Sequence, residues 1–68
     1  MKVQEVKGRM VAKGIEAQAL ARKMNMNPST FYRKMKNSGK NFTLGDLLVM
    51  KEELQLSDQE AVDILILS

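Results

Sequence analysis

AQALARKMNMNPSTFYRKMK, running from Ala17 to Lys36, is the stretch whose reading decides the fold. Ala17, Leu20, Ala21 and Met24 recur at three- and four-residue spacing, with Arg22 and Lys23 outside the stripe, and so predict a helix over 16–24. Asn25 follows; after glycine, asparagine is the residue that most readily takes the left-handed conformation that reverses a chain. Asn27-Pro28 then starts a second helix over 28–36. Asparagine serves as its N-cap, and proline stands at the first position, where its missing N–H is not needed.

Working outward, Val3, Val6, Met10 and Val11 fall at helical spacing before Gly14, which predicts a first helix over 3–13 with a glycine C-cap. Gly8 inside it is expected to mark a close approach of another backbone. Residues 37–42 form a polar loop. Thr43 and Asp46, then Ser57 and Glu60, are spaced as capping boxes and open two further helices. Leu44, Leu47, Leu48 and Leu54 are expected to face inward from one of them, and Ala61, Ile64 and Leu65 from the other. With no internal repeat in 68 residues, the chain is expected to form one all-α domain, a compact bundle of about five short helices.

The absence of cysteine leaves helical packing to carry the fold and suits a reducing compartment. No N-terminal stretch resembles a signal peptide, and the longest apolar run, Ile64 to Leu67, is too short to cross a bilayer. The expectation is a soluble, cytoplasmic protein without membrane contact. Catalysis has little to work with: there is neither histidine nor cysteine, and Glu52 and Glu53, adjacent on a helix, diverge by about 100°. No enzymatic activity, cofactor, metal or small-molecule substrate is expected. Charge is uneven. Residues 1–40 carry ten Lys and Arg against Glu5 and Glu16, a balance of +8, whereas 41–68 carry Lys51 against six acids, a balance of −5. A basic block beside an acidic one suits a polyanion, bound on one side only.

The helix, turn and helix of 17–36 have the spacing of a DNA-binding helix-turn-helix, with small Ala21, turn residue Asn25 and apolar Phe31. Moreover, residues 15–37 resemble the Cro and phage-repressor helix-turn-helix superfamily, and nearly the whole chain resembles its small Cro-like members. The likeness is carried by Lys7-Gly8, Leu20-Ala21, Ser29-Thr30-Phe31, Lys34 to Asn37, Phe42-Thr43 and Leu54-Gln55-Leu56-Ser57. It implies a lambda-repressor-like fold and a prophage transcriptional repressor. Four positions depart from the pattern. Ala17 replaces a glutamine that contacts DNA, Met10 and Met35 replace a charged pair and are expected to meet as an apolar one, and Lys34 stands where an aromatic or aliphatic residue is usual.

On the outer face of the second helix, Asn27, Ser29, Tyr32 and Arg33 are the candidates to read bases; Arg33 has the fork that suits a guanine edge. Thr30, Lys36, Lys40, Asn41 and Thr43 are candidates for the phosphate backbone, Thr43 through free N–H groups at a helix start. Ile64, Leu65, Ile66 and Leu67 cannot all face inward from one helix, so this run is expected to pair with a second copy. The expected partners are thus a double-stranded operator and a homodimer mate. An alternative remains open, an antirepressor or modulator that docks on a phage repressor protein, to which six methionines would lend an adaptable surface.

Overall fold

A computed structural model describes residues 1–67. Five helices follow one another, α1 (Val3–Lys13), α2 (Ala17–Lys23), α3 (Pro28–Lys36), α4 (Leu44–Glu53) and α5 (Asp58–Ala61), and the last widens into a π-helical turn over Val62–Ile66. No strand occurs among the described residues. The expected all-α bundle of five helices is therefore the architecture observed.

Local chemistry sets the helix starts. Asn27 Oδ1 accepts the Ser29 N–H at 2.9 Å, with Pro28 in the first helical position. Both capping boxes are formed: the Thr43 hydroxyl accepts from Asp46 N–H while the Asp46 carboxylate accepts from Thr43 N–H, and Ser57 and Glu60 do the same. Each satisfies two donors that a helix start would otherwise leave open.

The first four helices end alike. A left-handed residue, Gly14, Asn25, Ser38 or Gln55, reverses the chain, and the next N–H reaches back five residues: Ile15 to the Met10 carbonyl, Met26 to Ala21, Gly39 to Lys34 and Leu56 to Lys51. This is the Schellman arrangement. After three of the four reversals the following residue is apolar, and Ile15, Met26 and Leu56 turn back onto the core.

Phe31, Leu20, Met50, Leu54 and Val6 are completely enclosed, and Met10, Met35, Ile64 and Leu65 pack in the same cluster. Two expectations about facing are overturned. Met10, not Val11, carries the inner stripe of α1, leaving Val11 81% exposed. On α4 Met50 is buried and Leu47 and Val49 pack partly against the core, with buried Leu54 just beyond the helix, while Leu44 and Leu48 lie outside. Gly8 is corrected too: a Cβ added there would meet nothing within 4 Å. It marks no close approach, only a weak point in α1 relative to alanine. The ends of the chain are fastened together by the Lys2 N–H, which donates to the Ile64 carbonyl at 2.7 Å. Met1 covers Gly39 so closely that a Cβ there would lie 2.6 Å from its sulfur.

Candidate nucleic-acid interface

Phe31 and Met35 fix how α3 is turned, because they sit four residues apart on the face it buries. Ser29, Tyr32, Arg33 and Lys36 then share the opposite face, and all four are exposed. Thr30 lies half-buried at the edge. The ring of Phe31 is held from two sides, by Tyr32 edge-on with centroids 6.2 Å apart and by Phe42 at 5.8 Å. Phe42 thereby ties the loop after α3 to the helix and positions exposed Lys40 and Asn41. Half-buried Lys34 places its Nζ over the Phe42 ring, 5.8 Å from the centroid.

Two expected contacts are altered by the caps. Asn27 Oδ1 is occupied by the N–H and, at 2.8 Å, by the hydroxyl of Ser29, so only the amide nitrogen of Asn27 is free to donate. Ser29 keeps the acceptor side of its hydroxyl. At Thr43 the N–H donates to Asp46 Oδ2 at 3.0 Å and the hydroxyl accepts from Asp46 N–H at 3.1 Å. The capping box thus engages the Thr43 and Asp46 N–H groups and sets the Asp46 carboxylate at the helix start where a phosphate contact was expected.

The electrostatics are one-sided. From Ala17 to Gly45 there is no acidic residue, while Arg22, Lys23, Arg33, Lys34, Lys36 and Lys40 all fall in this interval. The ion pairs among the described residues, Arg9 with Glu60 and Lys51 with Asp58, lie outside it. Six cations are thus left to the solvent on α2, α3 and the following loop. Arg22 and Lys23, exposed in the last turn of α2, strengthen a field that their place outside the apolar stripe did not announce. The acid-free interval itself is the signal that identifies them.

The C-terminal run divides. Ile64 and Leu65 belong to the chain's own core, whereas Ile66 and Leu67 are exposed. The surface they present is enlarged by Leu44, Leu48 and Val62, which periodicity had not singled out for the outside. The methionines supply no adaptable surface: Met10, Met24, Met35 and Met50 are buried, and Met1 and Met26 pack partly against the core. Among the described residues no group of His, Cys, Asp or Glu is arranged to hold a metal ion, and no helix is long and apolar enough to cross a membrane. Compared with family models, curated proteins and solved structures, the chain shows no match.

Proposed function

We propose that the chain is a sequence-specific DNA-binding regulator, a Cro-like repressor of the prophage type, that inserts α3 into the major groove. The observation that carries this reading is the stripe Ser29, Tyr32, Arg33 and Lys36 on the outer face of a capped helix, inside an acid-free interval of unpaired cations. A major groove admits one helix, and the stripe faces it with a forked donor, a hydroxyl acceptor and an aromatic edge. Arg33 reads guanine, Ser29 and the Asn27 amide serve neighbouring positions, and Tyr32 offers its ring edge to a thymine methyl. Lys36, Lys40 and Asn41 hold phosphates on either side. A cytoplasmic location and action as a homodimer on a two-fold operator belong to the same proposal. Its test is a gel-shift titration against the intergenic DNA beside its own gene, at two salt concentrations. Tight, salt-dependent binding that survives an excess of random DNA is expected; equal affinity for random DNA would overturn it.

The second reading, a modulator that docks on a phage repressor, is favoured by one feature: a groove between α1 and the start of α2, lined by Val11, Ile15 and Ala17 among others, of which the proposed DNA contacts use only Tyr32. Binding to purified repressor without any shift of DNA would favour it.

A further inference from the structure

Between α3 and α4, residues 37–43 carry two of the proposed phosphate contacts, Lys40 and Asn41. Their loop is held firmly only at its ends. At one the Gly39 N–H reaches the Lys34 carbonyl at 2.8 Å, and at the other the Phe42 ring packs on Phe31 with centroids 5.8 Å apart. Inside it the bonds from the Lys40 N–H to the Asn37 carbonyl and from the Phe42 N–H to the Gly39 carbonyl are both 3.3 Å, longer than the usual range of about 2.7–3.2 Å. What closes over this span is Met1. The Lys2 N–H bond to the Ile64 carbonyl sets it beside the loop, and a single carbon added to Gly39 would lie 2.6 Å from its sulfur and 2.9 Å from its methyl group. We propose that Met1 is an oxidation-sensitive latch: conversion of its sulfur to the sulfoxide by a peroxide frees the loop, and with it the phosphate grip of Lys40 and Asn41.

Access and consequence both single out this sulfur. Met10, Met24, Met35 and Met50 are buried, whereas Met1 is half-buried and lines a surface cleft together with Gly39, Lys40, Phe42 and Leu65. A peroxide reaches the sulfur from that cleft. A sulfur lone pair attacks one peroxide oxygen and the O–O bond breaks; the other oxygen leaves as hydroxide, takes the proton of the transferred oxygen and becomes water. The sulfur is oxidised by two electrons and the peroxide is reduced by two. A flexible apolar side chain has then become a polar one. On the Gly39 side of the sulfur there is no room for an oxygen, so the sulfoxide turns outward to water and the contact that closes the loop is lost. Met26, the other half-buried methionine, lies in the turn between α2 and α3 and serves as an internal control. Methionine sulfoxide reductases return the thioether, which makes the latch reversible. The inference rests on the DNA-binding reading for its consequence, the weakened grip, and not for the release of the loop.

The test treats three forms of the full chain with hydrogen peroxide: the native protein, Met26→Leu, and a synthetic chain with Met1→norleucine, which keeps the shape of methionine without its sulfur. Peptide mass spectrometry locates the added oxygen, amide hydrogen exchange without DNA reads the loop, and a gel-shift titration reads binding to the intergenic DNA beside its own gene. In the native chain and Met26→Leu, oxidation of Met1 is expected to precede that of the buried methionines. It should speed exchange at Lys40 and Phe42 by on the order of tenfold and leave the middle of α1 and of α3 unchanged. Operator and random DNA should then both bind more weakly, with the salt slope smaller by about one to two. The norleucine chain should show neither change, and sulfoxide reductase should reverse both. Unchanged loop exchange after oxidation of Met1, equal loosening in the norleucine chain, or loss of helical circular dichroism from the whole domain would overturn the latch. A loosened loop with operator affinity undiminished would overturn its control of the grip. A loosened loop on a chain that binds no operator even before oxidation would overturn the DNA-binding reading and leave the latch standing.

Discussion

Arg9 Nη2 lies 2.7 Å from Glu60 Oε2, while Oε1 of the same carboxylate accepts the Ser57 N–H at 2.9 Å. One side chain thus closes the start of α5 and clasps it to α1. The Ser57 N–H, then the Arg9 hydrogen bond and charge, hold the Glu60 carboxyl below its ordinary range, against a small opposing effect of desolvation. A carboxyl with a lowered folded-state pKa adds stability above its unfolded value and loses it as pH falls through the folded one. The thermal midpoint should therefore decline below about pH 5, and Glu60→Gln should flatten that decline while lowering the midpoint at neutral pH. Parallel pH profiles for the two proteins would refute the assignment.

Backbone conformation supplies a second set of expectations. Gln55 holds a φ of 55° and Ser38 one of 61°, a region that costs an ordinary L-residue about 1–2 kcal/mol and glycine little. Replacing Gln55 with glycine should raise stability by about 0.5–1 kcal/mol after the extra freedom of the unfolded chain is counted. Gly8→Ala should stabilise α1 by a similar amount, about 0.5–1 kcal/mol, because the added methyl meets nothing. Gly39→Ala should destabilise, with its φ of 71° and the Met1 sulfur in the way. Urea titrations of the three variants give the signs directly.

Met10 and Met35 are both buried in the core. Each change to alanine should cost roughly 2–5 kcal/mol, enough to unfold much of so small a domain. If the two side chains meet, the double variant loses less than the sum, which a double-mutant cycle in denaturant measures.

On DNA, Arg33→Ala should cost about 1–3 kcal/mol on the operator and little on random sequence. Lys36→Ala and Lys40→Ala should weaken both alike and each reduce the salt slope by about one. Equal losses on both DNAs for Arg33→Ala would move that residue to the phosphate contacts.

What was legible in the sequence was local. Asn27-Pro28, the Thr43–Asp46 and Ser57–Glu60 pairs, Asn25 and Gly14 act through groups a few residues away, and each behaves as its chemistry dictates. What failed needed a neighbour from elsewhere in the chain. Helix α4 has apolar residues nearly all round, at Leu44, Leu47, Leu48, Val49 and Met50, so its period has no direction until packing against α2 and the rest of the core chooses Met50. In α1, Met10 and Val11 are adjacent candidates that only tertiary contact separates. At the candidate site the stripe on α3 followed from Phe31, but the engagement of Asn27 and Thr43 in caps removes functional groups that residue type alone leaves available.

The bond from Lys2 to the Ile64 carbonyl fastens the start of α1 to a turn 62 residues further along the chain. The partner against which α1 chiefly packs is that same C-terminal turn. During synthesis α1 therefore emerges without its docking surface, and its apolar stripe of Val6 and Met10 waits until Val62–Ile66 has been made. Folding of this domain is closed by its tail: a nascent chain halted after Ala61 would hold the completed α3 stripe on an unsealed core, open to proteases and chaperones.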